Sequence, residues 1–540
     1  MAQKHTLEEL NNCSREELIT IVLMMQGQLD ALNDNIEKLI EQVRIANNYR
    51  FGRHTESLKS IEGQLSFFDE ADAAYDESSR EPSAEEVITA KRAKKKGQRN
   101  IDLKDFPEEI LPPYSVSEEQ LDAFYGKGNW RRMPDETYKR LRHEPEAWTV
   151  EIHTVEVYVG TDGDHQDEFL RGNRPKDLLR NSIVTPSLLA SILNVKYVNS
   201  SALHRIEQEF QRNGVNISRQ TMSNWIVRCS QMYFTPFVER MKQELLSLHV
   251  TQSDETPTQV IKDSSHPNSK CYMWVHRSGE FYQERPVVIY EYQKDRDHQK
   301  PLEFYRDYKG ILVTDGLQQY HLVDKKLPDV TNANCWAHAR RDFADAVKAM
   351  DKKDPSAVHS SVAYTALQKI GGFYTADTEL KKLSSEERLQ KRQEIIQPMV
   401  EDFFAWVKEQ LSQCTVPPKS KTGQGLQYLV NQELYLKVFL TNGDVPIDNS
   451  ASERSIRTFC IGKKNWMFHN TANGASASAM VYSISETAKL NSLRPYYYFR
   501  HILTELPKRC DVNGKINPAE LDDLMPWSEE LPDECRKPRR

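Results

Sequence analysis

Between Leu248 and Gly316 the sequence sets out three strand-like runs, a helix and a fourth strand-like run. No other feature limits the possible fold as much. Leu248 and Val250 alternate with polar residues ahead of Asp254, the period-two pattern of a strand. That strand is expected to end at Asp254. Cys271–His276 and Pro286–Tyr292 are two further runs, separated by the turn-like pair Ser278–Gly279. Lys300–Tyr308 reads as a helix, and Ile311–Val313 as a buried strand that Gly316 ends.

Strand, strand, strand, helix, strand is the order of a ribonuclease-H-like core, in which the first and fourth strands lie side by side. Asp254 and Asp315, each at a strand end, would then converge. A third acidic residue lies in Pro446–Arg457, where Glu453 is expected on a short helix beside Arg454 and Arg457. Lys463-Lys464-Asn465-Trp466 follows. Carboxylate oxygens hold hard cations, and Arg and Lys hold phosphates. Magnesium wants six oxygens, keeps several waters, and is usually bound by one or two carboxylates plus substrate phosphate. Two such ions about 3.5–4 Å apart can activate a nucleophile and stabilise a leaving oxygen. Taken singly, each Asp fits a turn or N-cap, and the Glu453 segment fits an exposed helix with ion pairs. The combination is far more specific than any one member.

Ordered motifs run nearly end to end. They are Phe51-Gly52-Arg53-His54-Thr55-Glu56, Ser253-Asp254-Glu255-Thr256, Thr314-Asp315-Gly316-Leu317-Gln318-Gln319-Tyr320, and Cys335-Trp336-Ala337-His338-Ala339-Arg340-Arg341-Asp342-Phe343. Asp448–Arg457 and Gly462-Lys463-Lys464-Asn465-Trp466-Met467-Phe468 complete the set. In these the chain resembles the transposases of the insertion sequence 66 family, which are DDE (Asp-Asp-Glu) transposases. The resemblance implies that Asp254, Asp315 and Glu453 are the catalytic, magnesium-binding carboxylates. Two ions are implied, with manganese able to substitute. It implies binding to terminal inverted repeats, strand cleavage at the element ends, and strand transfer into target DNA. Double-stranded DNA, a second copy of the chain or a higher oligomer, and small accessory proteins of the element are the implied partners. The runners-up are a ribonuclease-H-like nuclease or resolvase that cuts without joining, and an inactive DNA-binding remnant.

Formal net charge is −7, so DNA binding must come from local patches rather than a global field. No apolar run is long enough to span a membrane, and Met1–Glu17 lacks the apolar core of a signal peptide. The eight cysteines are scattered without a CxxC pair, as in a reduced cytoplasmic protein. Relatives of this kind carry paired zinc-binding cysteines ahead of the catalytic domain. Here Ile101–Asn173 has no cysteine, and His143, His153 and His165 cannot replace a thiolate-rich site. No zinc is expected, and Trp130, Trp148 and Tyr158 are expected to pack where zinc would have been.

The expected organisation begins with a coiled-coil dimerisation helix over 1–57. Leu18, Val22, Met25, Leu29, Leu32, Ile36, Leu39 and Val43 keep a heptad seam, although an amphipathic helix docked on its own chain has the same pattern. A disordered linker follows over 58–100. Its basic run, Lys91–Arg99, fits either phosphate binding or a solvated linker. A degenerate zinc-finger-like module is expected over 101–175, and a helical region of helix-turn-helix type over 176–244. In the latter Arg219, Gln220 and Asn224 open a recognition helix capped by Ser218, although helix pairs that merely pack are commoner. The catalytic domain is expected over 245–492, with an all-α insertion at about 355–440. Arg341, Arg454, Arg457, Lys463 and Lys464 are further candidates for DNA contact, and His338 a supporting residue beside the carboxylates. A small C-terminal domain with a basic tail takes 493–540. The fold class is thus an α/β ribonuclease-H-like core with an all-α insertion, a coiled coil and a helical DNA-binding region.

Overall fold

A computed structural model describes residues 108–144, 147–262, 270–297, 299–350 and 355–537, together with Arg15, Val22 and Gln26. The three isolated positions are helical. The rest of the heptad seam and the linker with its basic run lie outside the described residues.

The chain opens with β1 (Glu108–Ile110), α1 (Glu118–Tyr125), β2 (Trp130–Glu144), β3 (Ala147–Gly160) and β4 (Phe169–Arg171). β2 and β3 form a long antiparallel hairpin, and β1 and β4 add to β3. Ser117 and Gln120 close a capping box on α1, satisfying otherwise orphaned N–H groups. Leu121, Tyr125 and Tyr158 form a small core with Trp130 against it. Of the aromatics expected there, Trp130 and Tyr158 meet edge to face at 5.4 Å. Trp148 does not join them; it packs on Phe210 at 4.8 Å, because its end of the hairpin lies beyond this core.

Next come α2 (Pro186–Leu193), a π-helical turn (Asn194–Val198), α3 (Leu203–Arg212), α4 (Arg219–Cys229) and α5 (Thr235–Ser247). The expected helix from Ser200 begins later, because Ser200 is left-handed at φ 58°. Ser218 caps α4 by accepting the Thr221 amide at 3.1 Å.

β5 (Val250–Thr258), β6 (Cys271–Ser278), β7 (Val288–Gln293), α6 (Gln299–Phe304), β8 (Gly310–Thr314), α7 (Gln318–Lys326) and β9 (Val330–Asn334) follow. The strands form one mixed sheet in the order β7-β6-β5-β8-β9. The first and fourth strands of the series are therefore neighbours. Two boundaries differ from expectation. β5 pairs with β6 through Thr258 opposite Cys271, so Asp254 sits in mid-strand rather than at the end. α6 stops at Phe304 because the chain turns there, with the Tyr308 amide donating to the Tyr305 carbonyl at 3.0 Å.

Beyond the sheet lie α8 (Trp336–Ala349), α9 (Pro355–His359), α10 (Val362–Leu380), α11 (Ser385–Lys391), α12 (Gln397–Ser412) and α13 (Lys421–Leu436). The last helices are α14 (Ser450–Trp466), α15 (Ala472–Leu490) and α16 (Pro495–Glu505). α14 is not the short helix expected around Glu453: it spans 17 residues and takes in the Lys463–Trp466 cluster.

The chain divides into two compact units. One contains Val313–Leu317 and Asn332–Ser450. Its core gathers Phe373, Phe403, Phe404 and Phe439 around Trp336, whose indole N–H donates to the Leu436 carbonyl at 2.8 Å. The other contains Gln318–Thr331, Ala451 onward, and the described chain up to Leu312. In it α15 covers the edge strand β7. Ser483 Oγ accepts the Tyr290 amide at 2.8 Å, and Thr487 Oγ1 accepts the Val288 amide at 3.0 Å. An open strand edge that would otherwise invite pairing is thereby closed.

Candidate active site

Asp254 projects from the middle of β5, directly opposite Val275 of β6, and is half-buried. Its Oδ1 accepts the Glu255 amide at 2.8 Å. Alternation along the strand sends Glu255 to the opposite face. There Glu255 accepts from Tyr320 at 2.6 Å and pairs with the Arg296 guanidinium. Of the two adjacent acids, Glu255 is engaged by a cation and a phenol, and Asp254 faces the other side.

Glu453 lies in the first turn of α14 and is half-buried. α14 runs beside β5. Cys460 Sγ lies 3.6 Å from Thr256 Oγ1, and Lys463 Nζ donates to the Pro257 carbonyl at 2.8 Å. Glu453 is seven residues before Cys460, so it shares that face about 10 Å toward the helix N-terminus. At about 3.3 Å per residue along β5, the same distance back from Thr256 reaches Ser253, the residue before Asp254.

β6 and β7 anchor the same turn. Arg277 Nη1 donates to the Ala451 carbonyl at 2.8 Å and to Ser455 Oγ at 3.3 Å, and Tyr290 Oη donates to the Ser455 carbonyl at 2.6 Å. These contacts bracket Glu453. Burial and the neighbouring Arg454 charge bring the Arg277 guanidinium down to about 10. A charged residue inside the apolar run Cys271–Ser278 is the sequence signal for this anchor, and the motifs singled out from the sequence do not include it.

Asp315 directly follows β8. Its Oδ1 accepts the Leu317 amide at 3.0 Å, an Asx-type turn. Below it, Thr314 Oγ1 bonds Asn332 Oδ1 at 3.1 Å, Asn332 bonds Asn334 at 2.9 Å, and Asn334 bonds Gln432 at 3.0 Å. Tyr428 Oη reaches the Asp315 carbonyl at 3.5 Å. Gly316 has φ 83°, and a Cβ there would meet Tyr428 Oη at 2.6 Å; only glycine fits.

His338 and Arg341 share a face of α8, with His338 Nε2 3.2 Å from Arg341 Nη2. Burial first, then the Arg341 charge, lower the His338 ring to about 3. It is therefore neutral near pH 7.

Arg219, Gln220 and Asn224 are all exposed at the start of α4, and Gln220 Nε2 donates to Asn224 Oδ1 at 3.2 Å. Arg454 is exposed and ion-paired with Glu280 at 3.3 Å. Lys464 is exposed, while Arg457 and Lys463 are half-buried. Ser253 Oγ meets His276 Nδ1 at 2.8 Å, and His276 Nε2 stands 3.8 Å from Glu291. That resembles a nucleophile triad, but Ser253 and His276 are both at 0% exposure, so no substrate meets them.

Residues 181–477 match the family described as Transposase IS66 family. The chain belongs to the IS66 transposase family. Residues 483–527 match the IS66 C-terminal element, which takes in α16 and the segment after it. Among similar proteins are two uncharacterized proteins of Sinorhizobium fredii (strain NBRC 101917 / NGR234). One, y4qI, is 27% identical over 67% of this chain and 66% of its own length. The other, y4hP, is 24% identical over 92% of this chain and 88% of its own. Membership of the IS66 family implies a transposase, and thus an enzyme acting on DNA. No described helix is long and apolar enough to cross a membrane.

Proposed function

We propose that this IS66-family protein is the DNA transposase of a bacterial insertion sequence, with a ribonuclease-H-like core whose Asp254, Asp315 and Glu453 hold divalent magnesium. The observation that carries the reading is the run of α14 along β5 through Cys460–Thr256 and Lys463–Pro257, which supports Glu453 lying toward Asp254. Further support comes from the sheet order, in which β8, ending one residue before Asp315, neighbours β5. A donor set of three carboxylates would suit a hard cation such as magnesium.

When bound, the metal would make a hydroxyl nucleophilic near neutral pH and stabilise the departing oxygen of a phosphodiester. The chain's own part is placement and charge. The carboxylates would hold the metal that balances the reacting phosphate's charge. Arg454, Arg457 and Lys464 line the same helix and take flanking phosphates, which position without reading sequence. Arg219, Gln220 and Asn224 open an exposed helix suited to a groove and are the candidates for reading the terminal repeats. Arg277 and Tyr290 keep the first turn of α14 fixed on the sheet, so Glu453 need not be ordered when substrate arrives.

Incubating the protein with magnesium and duplexes carrying its own element ends, then mapping products, tests the reading. Cut ends joined to a target duplex are expected. Cutting without joining would indicate a nuclease or resolvase, and binding without cutting an inactive remnant.

A further inference from the structure

Among the described residues Lys196 meets no counter-ion. It lies in the π-helical turn Asn194–Val198, a local geometry that recurs at functional sites. Its ammonium stands 4.1 Å from the Trp466 ring centroid and 5.0 Å from that of Tyr197. Among the described residues no carboxylate or carbonyl meets it. Burial lowers it to about 8, so it is still largely charged near pH 7.

The surroundings add positive charge and unused polar atoms. Lys196 and Lys463 both repel a proton from His469, which burial already lowers to about 3. His469 Nε2 and Trp466 Nε1 are buried with no hydrogen-bond partner among the described residues. An unmet buried polar atom costs about 1–3 kcal/mol, so two of them beside an uncompensated ammonium call for an explanation. The backbone is unusual at both flanks: Ser200 and Met467 are left-handed non-glycine residues, at φ 58° and 65°. Such conformations cluster at ligand sites. Asn465 Nδ2 ties the two flanks together by donating to the Ser200 carbonyl at 2.8 Å. Gly462 leaves room for the Trp466 ring and the Tyr482 hydroxyl, both of which a Cβ would strike.

We propose that Lys196, framed by Trp466 and Tyr197 at the C-terminal end of α14, is a seat for a backbone phosphodiester of bound DNA. A phosphate oxygen supplies the missing counter-charge. Lys463 and Lys464, on the same helix end, extend the positive track. The seat lies about three and a half helical turns beyond Glu453 along α14, so it would hold DNA flanking the reacting bond rather than the bond itself. This rests on the reading that the substrate is DNA.

The experiment uses the full chain and a labelled duplex of arbitrary sequence. Amine-reactive labelling near neutral pH, read by mass spectrometry, is expected to mark Lys196 early and to be blocked by the duplex. Inorganic phosphate at the same phosphate concentration is expected to give no protection; equal protection by it would mean a free-anion site instead and overturn the proposal. Lys196→Met is expected to weaken duplex binding and lower the slope of log affinity against log salt by about one, with Lys196→Arg restoring it. If Lys196→Met fails to fold, the wild-type protection result decides. Duplex binding with Lys196 unprotected, or an unchanged salt slope in a folded Lys196→Met, would overturn the seat and leave the transposase reading intact. A wild-type chain that binds no duplex at all would overturn both.

Discussion

Asp315 stands on a turn fixed by its own carboxylate, by the Thr314–Asn332–Asn334–Gln432 ladder and by Gly316. Truncating Asp315 also removes the carboxylate that holds its turn, so duplex binding is read beside cleavage for each variant. Asp254→Ala, Asp315→Ala and Glu453→Ala are each expected to lower strand cleavage in magnesium by at least about a hundredfold, the scale for losing one preorganised charge-stabilising group. Duplex binding, measured by anisotropy, should stay near wild type. A variant that keeps wild-type strand transfer would remove its residue from the site. A second residue-scale consequence concerns acid. His469 is 7% exposed, and in the fold it is lowered from 6.5 to about 3. Above 6.5 it is neutral in both folded and unfolded chains and contributes no pH dependence. Below 6.5 the unfolded chain takes up a proton that the folded chain refuses, so stability falls with pH until about 3. The loss from this group is about 1.4 kcal/mol per pH unit, or about 2 kcal/mol between pH 7 and pH 5. Urea denaturation at those two values should show a shallower fall in His469→Phe, which keeps a ring against Phe459. An identical pH dependence in the two proteins would refute the assignment.

At the scale of elements, two buried arginines do similar jobs in the separate units. Arg277 holds the first turn of α14 to the sheet through carbonyl and hydroxyl oxygens. Arg392, at 0% exposure, pairs with Asp377 at 2.7 Å and donates to the carbonyls of Phe439 at 3.0 Å and Val445 at 2.7 Å. It thereby fastens the helical unit to the loop that leads into Asp448 and Asn449. Breaking a buried pair from one side leaves an uncompensated charge. Arg392→Met is expected to cost about 3–5 kcal/mol, seen as a lower urea midpoint. A loss under about 1 kcal/mol would mean that the carbonyls are equally well satisfied by water. Some element boundaries were legible in the chain. The capping boxes at Ser117 and Ser384 are local patterns, and Ser384 does close on Glu387. The end of β5 was not legible, because it depends on where β6 begins to pair. Nor was the length of α14, whose polar Lys463-Lys464-Asn465 stretch stays helical because Lys463 is tied to the Pro257 carbonyl across the packed face.

For the whole molecule, assembly remains the property argued from sequence alone, since the heptad seam lies largely outside the described residues. A joint Leu29→Gln and Ile36→Gln substitution removes two seam side chains, each of which would fill a hole on a partner helix. Light scattering on the full chain is expected to give about one protomer mass for the variant and a multiple of it for wild type. A monomeric wild-type chain would favour the docked-helix alternative. The sequence by itself determined the family, through long ordered motifs, and the identity of the three carboxylates as candidates. It also determined the succession of strands and helices, because alternation, glycine stops and caps are written within a few residues of where they act. Only the tertiary structure decided which strands are neighbours, and that Glu255 is engaged elsewhere while Asp254 takes the other face. It alone revealed Arg277 behind Glu453, and Lys196 against Trp466 from 270 residues away. Those relations join residues far apart in the chain. They are selected by burial, pairing register and the need to meet buried polar groups, none of which has a signature in a local stretch of sequence.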